Sequence, residues 1–261
     1  MKSRETELRV GVEAVRAASR ICRQVQERLV GEDTLEKKDK SPVTVADFAS
    51  QAVVCQRLAQ EFPDDRVVGE EAADELRHDE NATLRSTVVE QVRGETEASA
   101  PADQVLSWID RGGAKAEGER YWTLDPIDGT KGFLRGEQYA VALALIEDGR
   151  VVLGLLGCPN LPVAGGTGAL FAAAEGAPTR LLPLWEKGEG TTVSVQSVSS
   201  PAEARFCESV ESGHSDQGSS ARIAELLGIE SEPFRIDSQC KYGAVARGDT
   251  SIYLRMPTRK D

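Results

Sequence analysis

The sequence predicts an α+β chain in which helices layer on a largely antiparallel sheet, followed by a smaller α/β lobe. Three features predict it. Apolar residues recur at helical spacing from Glu5 to Val30. Two apolar runs, Tyr139 to Ile146 and Val151 to Leu156, are closed by Asp148-Gly149, a strong short-range hairpin signal. Past residue 190, short strand patterns alternate with a helix pattern. With 261 residues, 40% of them hydrophobic, the chain can bury a core. The polar, Gly-containing stretch Trp185 to Gly190 divides it into an N-terminal α+β domain, residues 1–187, and a C-terminal α/β lobe, residues 188–261.

Leu8, Val12, Val15, Ala18, Ile21, Cys22, Val25 and Leu29 form one stripe of the first helix, which makes it scaffold packed on a sheet. A polar connection follows whose Lys37-Lys38-Asp39-Lys40 reads as a solvated loop or a basic lip near an anionic site, and Ser41-Pro42 ends it. A second helix buries Phe48, Ala52, Val53, Leu58 and Phe62, with Asp47 in its first turn, where acidic residues are common for the helix dipole alone. Arg66 to Gly69 is a short strand delivering Glu70 and Glu71. Side chains alternate along a strand, so one of the two faces a site and the other lies behind it or in solvent.

Ala72 to Arg93 holds further helix, with Leu84, Val88, Val89 and Val92 as its apolar face, and Asp64, Asp65, Asp74, Glu75 and Asp79 read as surface charge. Gly94 to Ala102 and Arg111 to Lys115 are loops, both candidates for a lid, around a helical Val105 to Ile109. Tyr121 to Leu124 is a strand that stops at Asp125. Gly168 to Ala174 and a partner beyond Gly176 extend the sheet. In the second lobe Thr192 to Val198, Arg205 to Val210, Phe234 to Ile236 and Ser251 to Met256 read as strands, and Ser219 to Leu227 as a helix stopped by Gly228.

A formal charge of −12 argues against a nucleic-acid-binding surface, which needs clustered Lys and Arg. No apolar run is long enough for a membrane span, and the charged N-terminus shows no targeting signal, which makes the cytoplasm the expected compartment. Five widely spaced cysteines without a Cys-x-x-Cys pair read as reduced, buried thiols. With only two histidines, hydrolytic chemistry should rest on carboxylates and a hard cation.

The stretch Asp125-Pro126-Ile127-Asp128-Gly129-Thr130 supplies the carboxylates for such a cation. The turn brings Asp125 and Asp128 together at a strand end, and two anions that close repel unless a cation lies between them, for which Mg2+ suits carboxylate oxygens. Gly129 permits close backbone approach, and Thr130 can cap a following helix and offer a hydroxyl, at a helix start that could take phosphate. The competing reading is a polar surface turn.

The hexapeptide resembles the signature of the inositol monophosphatase-like superfamily of Mg2+-dependent, lithium-sensitive phosphatases. Its continuation Lys131-Gly132-Phe133-Leu134-Arg135-Gly136 is similar to one branch, the 3'(2'),5'-bisphosphate nucleotidases, and the similarity runs in consistent order from about Ser41 to Arg255. The resemblance implies a layered sheet-and-helix sandwich of that type and removal of the 3'-phosphate of adenosine 3',5'-bisphosphate, with its 5'-phosphosulfate form as a further substrate. It implies Mg2+ held by Glu70, Asp125, Asp128 and the Ile127 carbonyl, and a water activated by Asp47 with Thr130. Glu208 to Ser215 and Asp237 to Tyr242 look like the segments that hold the nucleotide, which places His214, Ser238, Lys241 and Arg255, together with Thr130, around the substrate.

Two rivals stand beside this. Asp128-Gly129-Thr130 mimics the motif of haloacid-dehalogenase-like phosphatases, but that motif needs an Asp where Pro126 stands. The other is a nucleotide-binding homologue without turnover, and an inositol monophosphatase-type activity is a more remote alternative. Family members continue past the strand matched by Ser251 to Met256 into a Trp-Asp-x-x-Ala-Gly segment whose Asp completes the metal site. No Trp-Asp pair occurs here, so the resemblance implies an incomplete second lobe and turnover lowered by at least about 100-fold. Oligomeric state is not legible in the sequence.

Overall fold

The computed structural model describes residues 4–31, 41–211 and 217–256. Two long helices, α1 (Glu5–Gly31) and α2 (Ser41–Glu61), pack side by side on one face of a seven-stranded sheet. The sheet runs β1 (Arg66–Val68), β2 (Arg120–Asp128), β3 (Ala140–Glu147), β4 (Arg150–Val163), β5 (Gly166–Ala174), β6 (Arg180–Pro183) and β7 (Thr191–Thr192) in sequence order. Only β1 pairs parallel with its neighbour; the other pairings are antiparallel, so short turns suffice between them. Asp148 and Gly149, at φ 50° and 72°, make the left-handed turn between β3 and β4.

The helix stripe read from α1 is buried as expected: Val15, Ala18, Ile21 and Cys22 are fully enclosed with Phe48, Val53 and Leu58 of α2 and Trp122, Leu143 and Leu155 of the sheet. The helical region after β1 is broken. It comprises α3 (Asp74–Arg77), a 3-10 turn, and α4 (Ala82–Glu95), because His78 takes extended backbone between them. A further helix, α5 (Ala102–Asp110), follows. The Arg111 to Lys115 segment is tied down rather than free to act as a lid: Gly69 N–H donates to Gly112 O and Ala114 N–H to Val67 O.

Asp65 is not ordinary surface charge. It accepts from Arg120 Nε and from Trp122 Nε1, each at 2.9 Å, and Arg120 in turn reaches Glu147 at 2.5 Å and Glu7 at 3.2 Å, while Arg4 also meets Glu147. Hydrogen bonds from Arg4 hold the Glu147 carboxyl down at about 2. An unfolded Glu titrates near 4.3, so this stabilisation is present above about pH 4.5 and is lost as pH falls toward 2. Glu147→Gln is expected to cost about 1 kcal/mol at pH 7, since the pair is partly solvated. Denaturant midpoints of both proteins should converge as pH drops below 4.5. A gap that stays constant down to pH 3 would count against the ion pair.

The second lobe is a three-stranded parallel sheet in the order β10 (Ile252–Tyr253), β8 (Phe206–Glu208), β9 (Phe234–Arg235), with helices α7 (Gln217–Leu227) and α8 (Cys240–Ala246) in its crossovers. Gly228, at φ 69°, ends α7 as its position suggested. The strand read at Thr192 to Val198 stops at Thr192; Val195 is 63% exposed and has no apolar surface to lie on. α8, unforeseen in the sequence, buries Cys240 and Ala244 with Cys158 and Phe171 of the large sheet, which joins the lobes through a second apolar cluster.

Candidate active site

β2 passes through Pro126 and ends at Asp128, not at Asp125. Asp125 pairs with Ala142 and Asp128 with Ala140, and the irregularity between them absorbs the proline that an even ladder would reject. Gly129, at φ 91°, then turns the chain into the short helix α6 (Thr130–Leu134). Gly129 therefore occupies the cap position expected of Thr130, which is the first helical residue and is exposed. A Cβ on Gly129 would lie 2.7 Å from Ser238 Cβ, so this turn sits directly against the second lobe.

Asp47 projects from the second turn of α2, since that helix begins at Ser41 and not after Val45. One turn on, the fully buried Gln51 organises the end of β1. Its Oε1 accepts from the backbone N–H of Glu70 and of Glu71, each at 3.0 Å, and its Nε2 donates to Glu71 O and Ile109 O at 2.6 and 2.8 Å. Gly69 and Gly112 must lack side chains because a Cβ on either would strike the Gln51 amide. One helix thus carries Asp47 and also fixes where Glu70 and Glu71 emerge. Sequence spacing shows Gln51 four residues after Asp47, but nothing in it marks the amide as structural.

The carboxylates feel one another. Burial, then the charges of Glu71, Asp125 and Glu70, push Asp47 up to about 8. Burial, then Glu70 and Asp128, push Asp125 up to about 7, against a lowering hydrogen bond from the Ile127 N–H. Burial and Asp128 raise Glu70. β1 ends at Val68, so Glu70 and Glu71 lie past the strand, where the alternation expected of a ladder does not apply; the charges of both reach Asp47.

Whether these residues suit a divalent cation can be judged from their donors. The set is all oxygen, and Asp125 Oδ1 is buried with no hydrogen-bond partner, an uncompensated acceptor that a cation would satisfy. Among the described residues no three acidic, His or Cys groups are already drawn into a metal cage, and Asp128 Oδ2 accepts from the backbone N–H of Gln239. The donors fit Mg2+ in kind, and loading would draw them together.

Between Asp47 and Asp125 the signs of the shifts give a testable linkage. Both are raised, so the folded, metal-free chain holds protons that the unfolded chain has released, and stability falls as pH rises from about 4 to 8. A cation bound by these carboxylates would displace those protons. Urea midpoints without metal should be higher at pH 6 than at pH 8.5, with millimolar Mg2+ removing the difference. The same fall persisting in Mg2+ would show that the cation does not reach these carboxylates.

On the far side of Asp128 lies a cavity of about 330 Å3 whose wall includes Asp128, Gly129, Thr130, Ser238, Lys241 and Arg255. Ser238 is held in left-handed backbone, φ 62°, and its Oγ accepts from Cys240 N–H at 3.1 Å. Lys241 is buried, donates to Ile236 O at 3.3 Å and lies 5.7 Å from the Tyr253 ring centre; burial lowers its pKa while Asp128 raises it. Lys131 pairs with Glu211 across the same cavity at 3.3 Å. His214 and the Lys37 to Lys40 run lie outside the described residues.

A layered α+β fold with acidic groups at one strand end, beside a cavity lined by Lys131, Lys241 and Arg255 together with Asp128, Glu211 and Asp237, suits a phosphatase. The inositol monophosphatase family model matches residues 3–261, and the chain belongs to that family. Curated relatives include 3'(2'),5'-bisphosphate nucleotidase 1 of Arabidopsis thaliana, 45% identical over 97% of this chain and 78% of its own, and 3'(2'),5'-bisphosphate nucleotidase of Schizosaccharomyces pombe, 42% identical over 98% and 78%. Among solved structures, Mycobacterium tuberculosis SuhB superposes with a TM-score of 0.61 at 20% identity, covering 97% of this chain and 78% of that one. CysQ from Bacteroides thetaiotaomicron does so with 0.60 at 18%, covering 96% and 79%. At that identity they establish the shared fold.

Proposed function

We propose that this chain is a Mg2+-dependent phosphoric monoester hydrolase that removes the 3'-phosphate of adenosine 3',5'-bisphosphate to give AMP. The observation that carries the proposal is the single cavity wall shared by Asp128, Lys241 and Arg255, which sets a carboxylate suited to metal beside cations suited to a second phosphate. The names of relatives at 42–45% identity, nucleotidases of 3'(2'),5'-bisphosphates, support the same substrate class.

Asp125, Asp128, Glu70 and the Ile127 carbonyl would hold Mg2+, which when bound neutralises phosphate charge and acidifies a water. Asp47, a carboxylate of raised proton affinity, would take the proton of the attacking water, with the Thr130 hydroxyl orienting it. Lys241 and Arg255 would receive the 5'-phosphate, with Ser238 and His214 along the nucleoside. Lys241 and Arg255 are the local cations by which a protein with a formal charge of −12 would meet a doubly phosphorylated ligand. No covalent intermediate on the protein is required.

We place the metal-site domain at 1–187 and the nucleotide lobe at 188–261, with Thr191 and Thr192 crossing back to pair with β6 of the large sheet. The cytoplasm is the compartment that five buried, unpaired thiols favour. Lys241→Ala tests the substrate assignment. It should weaken adenosine 3',5'-bisphosphate by about 1.5 to 3 kcal/mol, the range for a charged hydrogen bond, and leave inositol 1-phosphate nearly unaffected. Equal losses for both ligands would point to a general defect and reopen the substrate class.

A further inference from the structure

Arg135 directly follows α6, and its guanidinium meets three carboxylates from two parts of the chain. Nε donates to Glu137 at 2.6 Å, Nη1 to Glu211 at 2.7 Å, and Nη2 to Asp237. Glu137 is a near neighbour in sequence, but Glu211 and Asp237 belong to the second lobe. Asp237 is only 5% exposed, so its carboxylate depends on that partner far more than a surface acid would. Gly132 makes the approach possible: a Cβ there would lie 3.2 Å from Asp237 Oδ2 and collide with the Gln138 carbonyl.

From Asp237 the chain runs into Ser238, the left-handed residue, and then Gln239, whose N–H donates to Asp128 Oδ2. Non-glycine residues hold that conformation only where their surroundings impose it. Here the constraint on one side is the Arg135 fork and on the other the close packing of Ser238 on Gly129. A continuous path of contacts therefore runs from Arg135 through Asp237, Ser238 and Gln239 to a carboxylate of the proposed metal site.

We infer that Arg135 is a positioning residue: by clamping Asp237 it holds the Ser238-Gln239 turn, and through the Gln239 N–H it orients Asp128 toward the cation. Two other clusters argue less far. The groove between α1 and β6, about 400 Å3 with Arg9, Arg16, Arg180 and Lys187 at its edge, also carries Glu5 and Glu13, and Arg9 is already paired with Glu61. The Cys158 and Cys240 thiols are wholly buried and pushed toward the protonated form at Cys158, which leaves them inert.

The inference rests on the phosphatase reading, and its test separates the two. Hydrogen exchange of the Ser238 to Lys241 backbone in metal-free protein reports the clamp without catalysis, and Mg2+ titration with steady-state kinetics reports its consequence. Arg135→Ala should speed exchange of the Gln239 amide at least tenfold. It should also raise the Mg2+ concentration for half-maximal rate by about 10-fold, the lower range for outer partners of metal ligands, and lower kcat with KM little changed. Arg135→Lys should recover only part, because an ammonium cannot grip three carboxylates in a fixed fork.

Unchanged exchange and Mg2+ dependence in Arg135→Ala would overturn the inference, as would a lower kcat at an unaltered Mg2+ requirement, the mark of a smaller folded fraction. If wild type does not hydrolyse adenosine 3',5'-bisphosphate, the phosphatase reading fails, while the exchange experiment still decides the clamp. Should Arg135→Ala not fold, Asp237→Asn, which keeps shape and removes the charge, carries the same comparison.

Discussion

Asp128→Asn is expected to lower turnover of adenosine 3',5'-bisphosphate by more than about 100-fold, beyond the usual damage from losing an outer partner of a metal ligand. Asp128 stands at the end of β2, past the sheet irregularity, and among the described residues it joins both halves of the site. It raises the proton affinity of Asp125 and Glu70, lines the cavity with Lys241 and Arg255, and accepts the Gln239 N–H. The amide retains size but removes the negative charge, and if its NH2 faces Gln239 it places two donors against each other. Calorimetric titration should show Mg2+ binding weakened at least tenfold in the variant while the thermal midpoint moves little or rises, since a like-charge repulsion has been relieved. Equal Mg2+ binding by the two proteins would remove Asp128 from the metal site.

Local pattern made much of the fold readable. The α1 stripe and the Asp148-Gly149 turn each depend on neighbours within a few residues, so periodicity and turn chemistry were sufficient. The errors share a different origin. Pro126 argued for the end of a strand, yet the sheet continues past it because the neighbouring ladder shifts register there. α8 is seven residues long, with Gly243 inside it, too short for a periodic signal; its stability comes from packing against Phe171. Asp65 looked like solvent-facing charge because its partners, Arg120 and Trp122, are more than fifty residues away.

The candidate site divides in the same manner. Asp125, Asp128 and Thr130 sit in one motif, and Asp47, Glu70, Ser238, Lys241 and Arg255 were named through a family resemblance rather than from local physics. The supporting residues escaped both routes. Gln51 and Arg135 act through hydrogen bonds to groups distant in sequence, and no composition or spacing rule ties an arginine to a carboxylate 102 residues later. Gln51 is identified by its own burial and Arg135 by the burial of its partner Asp237, and burial of a polar group becomes visible only once the lobes are assembled.

Asp47→Asn should separate proton transfer from metal binding. The side chain lies between α2 and the strand-end carboxylates, and burial with Glu71, Asp125 and Glu70 around it holds its proton up to about 8. Bound Mg2+ would favour the charged form and bring Asp47 down into the range where a general base works best near neutral pH. An asparagine preserves the packing on α2 but cannot accept a proton. The expected loss in kcat is about 10²- to 10⁴-fold, the usual contribution of a positioned acid or base. Mg2+ affinity should stay within a few-fold of wild type, unlike the Asp128 variant, and KM for adenosine 3',5'-bisphosphate should be nearly constant. The pH profile gives the sharper criterion. Wild-type kcat should rise with pH as Asp47 loses its proton, and that rising limb should be absent or displaced in Asp47→Asn. A variant that keeps the wild-type limb at reduced amplitude would assign the titration to another group, and the water would then need a different base.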